Sequence, residues 1–332
     1  MTGVLAVQDF DSMITGDASL KKRPMGRIIK PLISCGAKIE ANEHKAPLSI
    51  YGSTSLTPID YYQDVASAQV KSCLILSALH ISGQSTFYEE IETRDHTENL
   101  LEHLSYKINR ESEFLSLKAK QKLIAKDIFI GSDISSAAFF IVACLIVDGS
   151  CIEMRNVNIN KFRTGIVTVL RGMGADIEIT DIKEVSKEVI GTIIVRHSKL
   201  KCADIKGEII PSLIDELPIL FIACASASGT SKISGIEELR YKESDRIMAM
   251  ENGLRAIGIN VYSSKDSIEI TGGKITGGKV DSYDDHRIAM SFVIAGLISE
   301  RSLTIMNTQN ISTSFPTFVT ILRELGVEIF EV

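Results

Sequence analysis

Residues 135–156 read SSAAFFIVACLIVDGSCIEMRN, an apolar segment followed by a turn and an extended segment. Over 135–147 the residues are apolar on nearly every side of a helix, as a helix surrounded by other elements must be. The same pattern, in which an apolar helix ends at a Gly or Ser turn and a strand follows, recurs at 67–90, 214–235 and 285–307. We therefore predict an α/β fold with its apolar helices inward and its sheets outward.

A second repeated feature closes each unit, with a period of about 70 residues. In each copy a helix ends at a Gly, or once at Ser105, and a short β-branched strand follows. The copies are CGAKIE at 35, LSYKIN at 104, MGADIEI at 173, IGINVYS at 257 and LGVEIFEV at 325. Each unit is therefore predicted to run helix, strand, helix, strand.

Length and charge limit the class of protein. At about 150 residues per domain, 332 residues suggest two domains. We place an N-terminal lobe at 1–127 and a C-terminal lobe at 128–332, because the charged run KAKQKLIAKD gives way to IFIGSDISS between them. The formal charge of -6 argues against a protein that coats nucleic acid or an anionic membrane.

Compartment and redox chemistry follow from the apolar runs and the cysteines. The longest apolar stretch, Ala137 to Val147, is shorter than the 18 or so residues of a membrane-spanning helix. The six cysteines form no C-x-x-C motif, and most lie in apolar runs. We expect a cytoplasmic protein without disulfides or a bound metal.

The first copy of the repeat is predicted to be incomplete at its start. GVLA, from Gly3, is typical of the tail of an inward helix, so the first unit lacks its beginning. We expect one unit to be largely missing, because domain termini normally fall between structural units. A short N-terminus that is authentic is the alternative.

The starts of the inward helices are the predicted anion site, since helix N-termini carry partial positive charge and free N–H groups. The residues at these starts are Ser67, Ala68, Gln69, Ser135, Ser136, Asp215, Asp285, His286 and Arg287. Ordinary N-capping explains Ser and Asp at such positions, but not Gln69 or Arg287. His286 is interpreted as structural rather than as a base.

Two basic clusters lie between the inward helices. In LKKRPMGR (20–27), Pro24 holds Arg23 extended and is predicted to start a helix. In RYKESDR (240–246), Lys242 and Arg246 are four residues apart on one predicted helical face, with Glu243 between them. A solvated charged helix is the alternative for each cluster.

One glycine-rich segment has a different interpretation. GGKITGGK (272–279) lacks the spacing and the final Ser or Thr of a nucleotide-phosphate loop. We predict a hairpin turn there.

Ten ordered motifs resemble those of the 5-enolpyruvylshikimate-3-phosphate synthases, within the enolpyruvyl transferase family. They are GDASLKKRPMGR, ASAQVKS, TRDHTE, SDISSAAFF, NKFRTG, MGADIE, SLIDELPIL, EELRYKESDR, DDHRIAMSF and TSFPTF, and they cover essentially the whole chain. The resemblance implies two lobes built from βαβαββ units with inward helices, in agreement with the repeats.

The resemblance also implies a reaction. Phosphoenolpyruvate gives its enolpyruvyl group to the 5-hydroxyl of shikimate 3-phosphate and releases phosphate, on the route to chorismate and the aromatic amino acids. It implies these two substrates as the only partners, with no cofactor, nucleic acid or membrane, and a monomer.

Site residues are implied by motif match. The shikimate 3-phosphate ligands would be Ser67, Ala68, Gln69, Arg94, Asp215 and Lys242. The phosphoenolpyruvate ligands would be Arg23, Gln69, Arg246 and Arg287. Asp215 would be the base, and Glu243 the proton donor to the methylene carbon. The N-terminal lobe would then be the shikimate phosphate side, and the C-terminal lobe the phosphoenolpyruvate and acid/base side.

Two other functions stay open. The early Lys-Ser…Arg and Asn-Gly-Thr segments of the family are not found, so we expect little activity, and a catalytically silent remnant is one alternative. A transferase acting on a UDP-amino sugar is the other. The strings SAQVKS, LIDELP and RYKESDR favour the shikimate type over that sister type.

Overall fold

The computed structural model describes residues 1–53, 55–64, 66–112 and 114–331. The chain divides into two compact units. The first comprises Met1–Ile130 together with Glu184–Glu188, and the second comprises the rest of the chain. Within the described residues, no helix is long and apolar enough to cross a membrane.

In the described part of the first unit there are two sheets and five α-helices. Its helices are α1 (Thr2–Leu5), α2 (Ala18–Lys22), α3 (Gly26–Ser34), α4 (Ala68–Ala78) and α5 (His96–His103). Its strands are β1 (Ser12–Ile14), β2 (Lys38–Ala41), β3 (Leu48–Tyr51), β4 (Asp60–Tyr62), β5 (Gln84–Tyr88), β6 (Ile108–Arg110) and β7 (Phe114–Lys118). The sheet orders are β1-β3-β2 and β4-β5-β7-β6.

The α4 helix forms the core of this unit. Leu74 and Ile75 are fully buried, and α4 packs against both α1 and α3. Burial of each such side chain stabilises the fold by roughly 1.5–3 kcal/mol. The α1 backbone lies so close to α4 that a Cβ on Gly3 would stand 2.0 Å from the carbonyl oxygen of Cys73. Only glycine fits there, and GVLA is helical as predicted.

Within the described residues, the second unit contains three sheets around a bundle of apolar helices, although the end of β9 and the start of β10, within Glu184–Glu188, belong to the first unit. Its helices are α6 (Ile134–Ile146), α7 (Gly165–Gly172), α8 (Leu217–Ser226), α9 (Arg246–Ala256), α10 (His286–Gly296), α11 (Ile311–Ser314) and α12 (Phe318–Glu324). Its strands are β8 (Cys151–Asn158), β9 (Asp176–Val185), β10 (Glu188–Arg196), β11 (Asp204–Ile205), β12 (Thr230–Ser234), β13 (Asn260–Ser263), β14 (Ser267–Thr271), β15 (Gly278–Asp281) and β16 (Leu303–Met306). The sheet orders are β8-β10-β9, β11-β12-β14-β13 and β15-β16.

The predicted inward helices are confirmed. The α6, α8 and α10 helices pack against one another, and nearly every residue of α6 and α8 is buried. Phe221 and Phe292 are fully buried among them. The apolar surface on all sides of α6 is therefore covered by its neighbours, as the sequence at 135–147 predicts.

The repeat extends to strand order. In β4-α4-β5-α5-β6-β7 the first two strands are parallel and the last two antiparallel, with the fourth strand between the second and third. The β11-α8-β12-α9-β13-β14 segment has the same connections and the same order. Both are complete βαβαββ units, which confirms the repeat as the basis of the fold.

The closing turns are confirmed at four of the five predicted sites. Gly174 and Gly258 have φ of 96° and 88°, and Ser105 adopts the same left-handed conformation with φ of 67°. Ser105 therefore occupies the glycine position of its copy, at a conformational cost that glycine avoids. The last copy differs: Gly326 has φ of 90°, but residues 327–331 form no strand.

Three local predictions are wrong in detail. The helix after Pro24 begins at Gly26 rather than at the proline, although Arg23 is extended as predicted, with ψ of 137°. GGKITGGK is not a hairpin, because β14 and β15 belong to different sheets and the segment connects them. The third wrong prediction is the helical face shared by Lys242 and Arg246, which lie in the candidate active site.

Candidate active site

The candidate site of the second unit lies where α8, α9 and α10 begin. Asp245 caps α9 by accepting the N–H of Met248 at 3.0 Å, and Asp285 caps α10 by accepting the N–H of Arg287 at 2.9 Å. Asp215 and Glu216 directly precede α8. Because these helices pack on one another, their polar first turns bring the side chains together.

Arg246 is almost completely buried, with 1% of its side chain exposed. Its Nε donates to Asp285 Oδ2 at 2.8 Å, and its Nη2 contacts Glu243 Oε2 at 2.5 Å. Burial opposes the charge of Arg246, but the carboxylates of Asp285 and Glu243 raise the pKa of its guanidinium above the ordinary value. Its Nη1 has no hydrogen-bond partner within the described part of the chain.

Asp215 lies between two further cations. Lys242 Nζ is 3.8 Å from Asp215 Oδ1, and Arg287 Nη1 donates to the Asp215 carbonyl oxygen at 3.0 Å. Lys242 also approaches Glu238 Oε1 at 3.7 Å. The predicted helical face shared by Lys242 and Arg246 is wrong. Lys242 ends the 3-10 turn Glu237–Tyr241, because the Asp245 cap starts α9 only at Arg246.

Sequence reasoning missed a buried carboxyl beside this cluster. Glu216 accepts a short hydrogen bond from Ser135 Oγ, and Arg163 Nη2 lies 2.7 Å from the same hydroxyl and 4.0 Å from Glu216 Oε1. Burial raises the pKa of the Glu216 carboxyl, with Arg287 opposing the shift and Asp215 adding to it. A glutamate directly before an apolar helix, in IDELP, was the available signal.

Four of the six predicted shikimate 3-phosphate ligands lie in the first unit. Ser67 caps α4, its hydroxyl accepting the N–H of Val70 at 3.4 Å, and Ala68 is the first helical residue. Gln69 is exposed at the second helical position. Arg94 lies in the loop between β5 and α5 and is half-buried.

Arg23 also lies in the first unit. It is half-buried at the C-terminal end of α2, and its backbone N–H donates to the Leu20 carbonyl at 3.1 Å. The following helix, α3, starts three residues later. The predicted site residues thus fall into two sets: Asp215, Lys242, Glu243, Arg246 and Arg287 in the second unit, and Arg23, Ser67, Ala68, Gln69 and Arg94 in the first.

Comparison with known proteins decides the family. The family model described as EPSP synthase (3-phosphoshikimate 1-carboxyvinyltransferase) matches residues 1–322. The chain belongs to the EPSP synthase family. The resemblance seen in the ten motifs is thereby confirmed.

Curated EPSP synthase relatives match along nearly the whole chain. A 3-phosphoshikimate 1-carboxyvinyltransferase of Coxiella burnetii (strain CbuK_Q154) is 46% identical over 329 residues, which are 99% of this chain and 75% of the relative. One of Methylococcus capsulatus is 46% identical over 330 residues, 99% of this chain and 76% of the relative.

Solved structures agree with the assignment. An EPSP synthase of Acinetobacter baumannii superposes with a TM-score of 0.85 at 42% identity, over 97% of this chain and 75% of that chain. The enolpyruvyl transferase NikO of Streptomyces tendae superposes with a TM-score of 0.79 at 14% identity, over 99% and 76%. The latter likeness shows the fold alone, and the predicted two-lobed enolpyruvyl transferase fold is confirmed.

Proposed function

We propose that this chain transfers the enolpyruvyl group of phosphoenolpyruvate to the 5-hydroxyl of shikimate 3-phosphate, with Asp215 and Glu243 moving the protons. The reaction is that of the EPSP synthase family. The observation that carries the assignment of roles is the cluster at the starts of α8, α9 and α10. There two carboxylates lie among Lys242, Arg246 and Arg287.

Phosphoenolpyruvate is assigned to Arg246 and Arg287, with Arg23 and Gln69 as further ligands. A phosphate and a carboxylate need several donors, and guanidinium groups bind both through paired hydrogen bonds. The Nη1 of Arg246 is buried without a hydrogen-bond partner in the described ranges, so this donor is available to an anionic oxygen. Asp285 holds the same guanidinium from the other side, which fixes its direction.

Glu243 is the proposed proton donor to the methylene carbon. A donor must be able to hold a proton, and a carboxylate paired with arginine normally resists protonation. Here the fully buried Asp285 already balances the charge of Arg246. Glu243, with 31% of its side chain exposed, is the more accessible of the two carboxylate partners of Arg246, which favours it as the donor.

Asp215 is the proposed base for the 5-hydroxyl. Lys242 lies 3.8 Å from its carboxylate, so a positive charge is at hand to hold the 3-phosphate nearby. In the first unit, Ser67, Ala68 and Gln69 offer the α4 start and Arg94 offers a cation for that phosphate. A cytoplasmic monomer that uses no cofactor belongs to the same proposal.

The test is a coupled assay of phosphate release by the 332-residue chain. We expect slow release, and only when phosphoenolpyruvate and shikimate 3-phosphate are both present. Release with a UDP-amino sugar in place of shikimate 3-phosphate would reassign the acceptor to the sister type. Binding of both substrates by calorimetry without any release would identify a catalytically silent member of the family.

A further inference from the structure

A buried lysine of the first unit has no part in the site described so far. Lys71 has only 4% of its side chain exposed. Its Nζ lies 2.9 Å from Glu89 Oε2 and 2.8 Å from Glu98 Oε1, and it donates to the Thr93 carbonyl oxygen at 3.3 Å. An ammonium group has three N–H donors, so these three partners use all of them.

The partners of Lys71 connect two parts of the proposed phosphate site. Lys71 belongs to the first turn of α4, just after Ser67, Ala68 and Gln69. Thr93 directly precedes Arg94, and Glu98 lies in the first turn of α5. A second bond joins the same segments, because the Ser72 and Thr97 hydroxyls are 2.6 Å apart.

We propose that Lys71 is a positioning residue for the 3-phosphate of shikimate 3-phosphate, fixing the start of α4 relative to Arg94. The inference rests on the proposed function, which assigns the phosphate to these two segments. Lys71 does not touch the ligand. It acts by holding Arg94 and the start of α4 at a fixed separation. That separation determines how well these groups fit a tetrahedral phosphate.

The chemistry of the cluster favours this role over simple packing. A buried ion pair is weak grounds for stability, since apolar side chains of similar volume often stabilise a core as well or better. A cluster with fixed donor directions instead specifies geometry. Burial raises the pKa of the Glu98 carboxyl, and its Oε2 has no hydrogen-bond partner among the described residues. Lys71 is the charged partner of this carboxyl, at 2.8 Å from its Oε1.

The test compares binding of shikimate 3-phosphate with binding of shikimate, which lacks the phosphate, by calorimetry. The variant is Lys71→Met with Glu98→Gln, which removes one positive and one negative charge together. We expect the preference for the phosphorylated ligand to fall about tenfold, the lower end of what loss of a supporting contact costs at metal sites. Shikimate affinity should stay within about twofold, the experimental scatter of additive effects.

Two further variants make the result specific. Leu117→Ala removes a buried side chain of β7 in the same unit and should leave the preference unchanged, although it lowers stability. Ser72→Ala removes only the bond to Thr97 and should lower the preference to a smaller extent, which provides a result if the double variant does not fold.

The outcomes separate the inference from the proposed function. Arg94→Ala reports on the phosphate site itself and should lower the preference strongly. If Arg94→Ala lowers it while the Lys71 variant and Ser72→Ala do not, or if Leu117→Ala lowers it as much, the positioning role is overturned. If Arg94→Ala also leaves it unchanged, the phosphate is not bound here and both proposals fail.

Discussion

His286 occupies the first position of α10, between Asp285 and Arg287. Burial lowers the pKa of its imidazole below the usual 6.5, and Arg287 and Arg246 add to the shift, with Asp285 and Glu243 opposing it. The neutral ring is therefore favoured in the folded state, and a cationic ring would add to an already crowded set of positive charges.

The stability of the protein should depend on pH through this residue. The unfolded chain takes up a proton on His286 near its usual pKa of 6.5, whereas the folded chain does so only at lower pH. The contribution of the neutral imidazole to the free energy of unfolding is thus fully present above the unfolded pKa of 6.5. It is lost as pH falls through the lower pKa of the folded state. We expect His286→Gln to reduce the fall in the midpoint of thermal unfolding between about pH 7.5 and about pH 5.

The exposed His80 offers a matched control, since His80→Gln should retain the fall seen in the parent protein. An identical fall in His286→Gln and the parent would contradict the account of the α10 start.

Among individual residues, the sequence indicated polar groups at helix starts better than contacts between residues distant in sequence. Gln69 and Arg287 stood out because capping does not explain them at a helix start. The contact between Ser135 and Glu216 could not be predicted, because it joins residues 81 positions apart through the packing of α6 on α8. Lys71 was missed for the same reason, since it appears in the sequence as one lysine among apolar residues.

The start of α6 shows how a single residue can serve both a helix and the site. Asp133 Oδ1 accepts the N–H of Ser135 at 3.2 Å and pairs with Arg163 Nη2 at 2.7 Å. Arg163 in turn contacts the Ser135 hydroxyl that is bonded to Glu216. Asp133 therefore connects the start of α6 to the bonded group of Arg163, Ser135 and Glu216.

Substitution separates the two roles of Asp133. Asp133→Ala removes both the N-cap, which usually contributes about 1 kcal/mol, and the ion pair with Arg163. Asp133→Asn keeps the cap and loses only a half-exposed ion pair, which is worth about 0.5 kcal/mol. Hydrogen exchange of the α6 amides measures both. Equal losses in the two variants would show that the ion pair, rather than the cap, holds this helix start.

At the element scale, periodicity predicted helices well and their ends less well. The apolar runs identified α4, α6, α8 and α10, because each is buried on most sides. The start of α9 was predicted wrongly, since the spacing of Lys242 and Arg246 suits a continuous helix. The Asp245 side chain instead caps the helix at Arg246. The α9 cap lies within a charged run, where spacing alone gives no signal.

At the scale of the whole molecule, the two units differ in the size of their cores. The second unit has a large continuous core built around α6, α8 and α10, whereas the first has a smaller one around α4. The first unit also leaves Phe10 and Met13 exposed, at 52% and 69%. Local opening is easier where few apolar contacts are buried.

Limited proteolysis should therefore cut first within residues 1–127, leaving a resistant fragment that contains the second unit. Mass spectrometry of the early fragments identifies the cleavage sites. First cleavage within the second unit, or equal rates in both, would contradict this ranking of stability.

The repeat was the feature of the whole molecule that sequence reasoning reached most fully. Both complete βαβαββ units carry the Gly or Ser turn that marks them, at Ser105 and Gly258. Strand order within each sheet was not accessible, because it depends on pairing between strands distant in sequence. The order is seen only in the structure, where β7 pairs with β5 and β14 pairs with β12.

Steady-state kinetics of Asp215→Asn and Glu243→Gln show whether these two carboxylates move the protons of enolpyruvyl transfer. Glu237→Gln is the matched control, because Glu237 lies in the same EELRYKESDR segment as Glu243 but pairs with the exposed Lys265. We expect kcat to fall roughly 100- to 10,000-fold in both variants, with KM for each substrate far less affected, and the control to retain the parent rate. A fall of less than about tenfold in both would remove the two carboxylates from the chemistry.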